Sequence, residues 1–167
     1  MVSEYRFNSF VDKERKILIV RPIGDMPGAY FVDKLFEFYA RVDAPWTFNR
    51  VSDLRRFDGK LCQADLDKIA ELWVKLADGH AYHAHVAVVS LDRLASFRVA
   101  AVSSQFPNET ICVFTDYHEA IAWLLATDKD AFLAGLETQP TETQSTENLA
   151  NRKAGQPKSW DDDIRVE

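Results

Sequence analysis

From Tyr5 to Val11 the side chains alternate, with Tyr5, Phe7, Ser9 and Val11 on one side and Arg6, Asn8 and Phe10 on the other. A period of two predicts a half-exposed strand, because successive strand side chains point to opposite faces. Polar Asp12-Lys13-Glu14-Arg15 then makes a turn. The run Ile17-Leu18-Ile19-Val20 inside Lys16–Ile23 predicts a buried strand. Together they predict a β-hairpin. Asp25-Met26-Pro27-Gly28 breaks the pattern and opens a helix, since proline is tolerated in a first turn. There Phe31, Leu35, Phe38 and Val42 share one face, with Val32, Phe36 and Tyr39 beside it, until Pro45.

Alternation returns from Trp46 to Leu54 and predicts a third strand, followed by a loop from Arg55 to Gln63. The clearest helix comes next, with Leu66, Ile69, Ala70, Trp73, Leu76 and Ala77 at helical spacing. Asp65 and Asp67 suit its positive N-terminal end, and Gly79 suits its C-cap. Val86-Ala87-Val88-Val89 and Ile111-Cys112-Val113-Phe114 predict two more buried strands. Arg93–Ser103 between them predicts a helix with a poor apolar pattern. Asp116 with Glu119 forms a capping-box-like start for a helix through Ile121, Leu124 and Leu125. Asp128 is read as the cap of a final short helix holding Phe132, Leu133 and Leu136.

These elements predict an α/β protein ordered ββαβαβα(α). Its mostly parallel five-stranded sheet has an antiparallel N-terminal hairpin. From Thr138 the chain turns to Thr, Gln, Glu and Pro with few apolar residues, too few to offset the entropy of ordering. The expected organisation is one domain over 1–137 and a disordered acidic tail over 138–167. In that tail Trp160 precedes Asp161-Asp162-Asp163-Ile164. An exposed aromatic flanked by acids can be a docking motif; the simpler reading is an uninformative tail.

Composition narrows the function classes. With 20 basic and 26 acidic side chains the net charge is −6, which disfavours nucleic acid as a partner. No apolar run approaches the ~18 residues of a membrane span. The N-terminal MVSEYRFNSFVDKER has no apolar signal core. Cys62 and Cys112 read as free thiols of a reducing compartment, so the expected location is cytoplasmic.

Candidate chemistry is sparse. HAYHAH places His80, His83 and His85 close in sequence, and converging imidazoles can hold zinc. His80 need not join the other two, so the expectation is a polar loop without metal. Asp53, Asp58 and Asp65 could hold magnesium or do acid–base work; the simpler reading has Asp53 pair with Arg55 or cap a backbone group, Asp58 turn a loop and Asp65 support a helix N-terminus. Cys62 precedes a helix N-terminus, which lowers a thiol pKa, but no base accompanies it. No phosphate-binding glycine motif or nucleophile elbow is present. The expectation is a protein that is not an enzyme and needs no cofactor.

Several segments are similar to the SpoIIAA-like proteins of the STAS family (sulfate transporter and anti-sigma-factor antagonist). They are the hairpin ending in ILIVRPIG, the strand running into Val51-Ser52-Asp53-Leu54-Arg55, the loop Phe57-Asp58-Gly59-Lys60-Leu61, the helix DLDKIAELW, the strands HVAVVS and ICVF, and the helix EAIAWLL. The resemblance implies helices mainly on one sheet face. It also implies regulation through a partner protein, switched by phosphorylation of a serine after the third strand. RRFDGKLCQADL contains no serine or threonine, so that switch is absent here. The leading expectation is a regulatory module that binds another protein through Arg55, Arg56, Phe57, Asp58, Gly59 and Lys60. The second is a small-molecule or lipid-binding domain whose groove is lined by the aromatic first helix, with Phe31, Phe36, Phe38 and Tyr39. Packing of that helix in a homodimer stays open.

Overall fold

The computed structural model describes residues 4–137. Strands β1 (Arg6–Asp12) and β2 (Ile17–Ile23) lead into helix α1 (Gly28–Tyr39). Strand β3 (Asn49–Asp53), helix α2 (Gln63–Leu76), strand β4 (Ala84–Val89), helix α3 (Ala95–Val102), strand β5 (Glu109–Phe114) and helix α4 (Tyr117–Glu137) follow. The sheet order is β1-β2-β3-β4-β5. The first pair is antiparallel, with Arg6 opposite Ile23 and Asp12 opposite Ile17, and the other pairs are parallel. The first of the two units into which the chain divides ends at Asp130 and contains the whole sheet.

Apolar runs in the central strands supply both faces at once, as a parallel sheet covered on both sides requires. Leu18 and Val20 point into a core with Phe31, Val32, Leu35 and Phe38 of α1 and Trp73 of α2, which Val102 and Phe106 extend. Ile17, Val51, Ala87 and Val89 point the other way, onto Ala120 and Leu124 of α4. Three helices thus share one face and α4 takes the other.

The observed order is ββαβαβαβα, one strand–helix unit longer than the expected shorthand. The poorly patterned Arg93–Ser103 segment holds a true helix that separates two parallel strands. The third strand starts at Asn49 rather than Trp46, because Ala44 is left-handed (φ 50°) and Pro45–Thr47 forms a 3₁₀ turn. No separate helix begins at Asp128: α4 continues through it, and its carboxylate accepts a hydrogen bond from Asn49 Nδ2 at 2.8 Å. Asn49 Oδ1 accepts the His85 N–H at 2.9 Å, so this buried amide ties β3 to β4 and α4. No helix among the described residues is long and apolar enough to cross a membrane. The expected tail with Trp160 lies outside the described residues.

Candidate functional site

A cavity of about 220 Å³ lies on the three-helix face of the sheet. Its floor comes from the same-face side chains of β3 and β4, among them Ser52, Val86 and Val88. Its walls are largely apolar: Phe31 and Leu35 of α1, Leu66 and Ile69 of α2, and Val99 and Val102 of α3. A concave apolar space with a few polar groups is the usual form of a ligand site.

The loop after β3 forms the roof. Phe57, Gly59 and Leu61 line the cavity, while Arg56, Asp58 and Lys60 are exposed. Phe57 packs on Phe31 with ring centroids 5.7 Å apart, so it folds under the loop and extends the core. Gly59 serves close packing. A Cβ there would stand 2.1 Å from the Met26 carbonyl oxygen and 2.7 Å from the Phe57 ring. The Gly24 N–H donates to the Arg56 carbonyl at 2.8 Å and the Asp58 N–H to the Gly24 carbonyl at 3.0 Å, which seats the loop against the end of β2.

Arg55 does not stand free. Its Nε and Nη2 donate to the two oxygens of Asp53 at 2.8 and 2.9 Å, and Arg21 Nε reaches the same carboxylate at 2.9 Å. Asp53 is buried at the end of β3. Burial alone would raise its pKa, but the Arg55 hydrogen bonds and the charges of Arg55 and Arg21 outweigh that and hold it below the usual carboxylate range. Both guanidinium groups also lie over the Tyr117 ring, at 5.2 and 5.6 Å from its centroid. The simpler reading of Asp53, as the partner of Arg55, is the observed one. Asp65 completes a capping box with the exposed Cys62 at the start of α2, and Cys62 N donates to Asp65 Oδ2 at 2.9 Å.

The three histidines separate. His80 stacks on Trp46 with ring centroids 3.9 Å apart, while His83 and His85 sit edge to face at 5.1 Å. Among the described residues no three His, Cys, Asp or Glu side chains group as a metal site.

Two polar residues of the cavity escaped sequence reasoning. Arg50 and Glu109 form a buried ion pair through Arg50 Nη2 and Glu109 Oε1, with side chains 7% and 1% exposed. Arg50 occupies an alternating position that reads as the polar side of a strand, and Glu109 follows it at a distance no local pattern spans. The only available signal was an arginine beside the apolar run of a central strand.

No family model matches the chain, and no curated protein matches it. Among solved structures it is similar to an uncharacterised protein of the DUF3478 family with a SpoIIAA-like fold, from Shewanella loihica PV-4. The identity is 16% and the TM-score 0.50, over 74% of this chain and 96% of the other. The chain therefore has a SpoIIAA-like α/β fold, as the sequence resemblance implied.

Proposed function

We propose that this protein is a non-enzymatic binding module that holds a small apolar molecule between its sheet and the layer formed by α1, α2 and α3. The cavity carries this reading. Its walls are largely apolar, and the charged lining residues among those described, Arg50, Asp92, Arg98 and Glu109, are paired with one another. A nucleophile, base and oxyanion donor that converge on one point are not found among these lining residues.

The test is a titration of the isotopically labelled chain with toluene, followed by amide-resolved NMR. Ser52, Val88 and Val99 amides should shift and saturate. The cavity-filling variant Val99→Trp should keep its thermal midpoint and lose those shifts. If those amides stay still, or if Val99→Trp responds like the parent, the cavity does not bind.

A second reading, docking of a partner protein on the loop, is favoured by the in–out alternation of residues 56–61. One loop then both roofs the cavity and presents Arg56, Asp58 and Lys60 to a partner. Arg55 is a poor probe of docking, because its loss also removes two hydrogen bonds from the buried Asp53. Arg56→Ala with Lys60→Ala removes only exposed charge. Partner capture should fall while the thermal midpoint holds; unchanged capture places the docking surface elsewhere.

A further inference from the structure

Strand β3 is buried at four of its five positions, and the exception is Ser52. The pleat turns Ser52 to the cavity side, where it lines the floor, and turns Val51 to the opposite core. Its register partners are Val20 of β2 and Val88 of β4, so strands flank it on both sides and its exposed surface opens into the cavity. Its hydroxyl makes no hydrogen bond to another described residue, yet it is not among the sealed unpartnered atoms, which belong to Arg50 and Glu109. The hydroxyl is therefore open to the space above it. A β-branched apolar side chain would pack a central strand better; serine instead holds an O–H donor toward a largely apolar space.

We propose that Ser52 is the polar anchor of the cavity and selects an uncharged oxygen acceptor, such as a ketone or ester carbonyl, on an apolar body. This rests on the cavity reading above and adds the chemistry of the ligand. A hydrocarbon that displaces cavity water leaves the Ser52 O–H without an acceptor, and an unpaired donor is costly. A carbonyl oxygen over Ser52 accepts that proton in a hydrogen bond, while Leu35, Ile69 and Val99 wall in the rest of the molecule. Ions fit poorly. The charged lining residues among those described are already paired, Arg50 with Glu109 and Arg98 with Asp92, and one hydroxyl does not replace the water that an ion sheds. At about 30 Å³ for a water-sized unit, the cavity holds roughly seven such units. That is the size of a single substituted ring.

Calorimetry on the full chain at pH 7 tests this with cyclohexanone, cyclohexylammonium and toluene, three probes of one size. Cyclohexanone should bind at least about tenfold tighter than cyclohexylammonium. Ser52→Ala removes the hydroxyl and keeps the rest of the floor. It should weaken cyclohexanone about fivefold and leave toluene within about twofold. The infrared carbonyl stretch of bound cyclohexanone should lie below its frequency in hexane for the parent, and should return toward that frequency in Ser52→Ala. If toluene binds while Ser52→Ala leaves cyclohexanone unchanged or weakens both probes alike, the anchor is wrong and the cavity reading stands. A parent stretch at the hexane frequency overturns the anchor without any variant. Cyclohexylammonium binding within about twofold of cyclohexanone overturns the selection for an uncharged group. If no probe binds, toluene included, both readings fall.

Discussion

The guanidinium carbon of Arg50 lies 3.7 Å from the centroid of the Trp73 ring, which places a strand cation against a helix aromatic at the heart of the larger core. Trp73 is fully buried and donates its indole N–H to the Tyr82 hydroxyl at 2.9 Å. Glu109, Arg50, Trp73 and Tyr82 thus form one chain of contacts from β5 through β3 and α2 to the segment before β4. A cation over an indole gains most where water is excluded. Burial also pushes the Tyr39 phenol pKa up, against the opposing charge of Arg50, so this tyrosine stays neutral beside the pair.

Tyr82→Phe removes the acceptor for the Trp73 N–H, along with a hydrogen bond to Asn108. The indole donor is then left unpaired inside the core, at a cost of about 1–3 kcal/mol. Urea unfolding followed by tryptophan fluorescence should show that loss. An unchanged unfolding midpoint would mean that the Trp73–Tyr82 bond contributes nothing.

Asp53 ties stability to acid pH. Its folded pKa lies below the unfolded value of about 3.9. Its contribution is therefore fully present above the unfolded value and is lost as pH falls through the folded one. Asp53→Asn should be less stable at pH 7 and should flatten the fall of the thermal midpoint between about pH 5 and 2. Arg55→Ala should cost less than Asp53→Asn, because Arg21 still reaches the carboxylate and Arg55 is partly screened by water. Parallel acid profiles for Asp53→Asn and the parent would contradict this.

His85 acts in the next window. Burial lowers its pKa first and the neighbouring His83 second, against a raising effect of Asp128. A base with a depressed folded pKa contributes stability that is full above the unfolded value of about 6.5 and is lost as pH falls through the folded one. Acidification below neutrality should destabilise the parent more than His85→Gln. NMR titration of the ring protons should find His85 below the ordinary histidine value; an ordinary or raised value would contradict this.

Gly59→Ala tests whether the loop is a tightly packed roof. The added methyl meets backbone at Met26 and the ring of Phe57, so something must shift. The thermal midpoint should fall on the order of 5–10 °C. Gly79→Ala strains a left-handed residue (φ 75°) but meets nothing within 4 Å, so it should cost less and leave the cavity intact. Equal midpoints for Gly59→Ala and the parent would show a loop loose enough to absorb a methyl group.

The frame was legible where one physical demand dominates. Ile17-Leu18-Ile19-Val20 reads as a buried strand because the sheet is covered on both faces, and its members do divide between the two cores. The face of α2 with Ala70 and Trp73 reads correctly because one stripe carries the burial. The segment α3 resisted because it serves two surroundings. Val99 and Val102 face the cavity and core, while Phe97 is 75% exposed, as are Leu91 and Leu94 in large part, so no single stripe appears. Asp128 looked like a cap because its residue type suits one, but its carboxylate is engaged by Asn49, which lies 79 residues away. The segment after Leu54 was legible as a loop, and its division into buried and exposed positions was not. That division depends on Gly24 and Met26, which a local pattern cannot place beside them.

The central claim is that the cavity is a site for a small apolar molecule. The most direct measurement is a crystal structure of the protein grown with bromobenzene, with bromine located by its anomalous signal. The account predicts a bromine peak among Leu35, Val88 and Val99. A cavity filled only by water, or bromine found only on the exposed Leu94 and Phe97 surface, would contradict it.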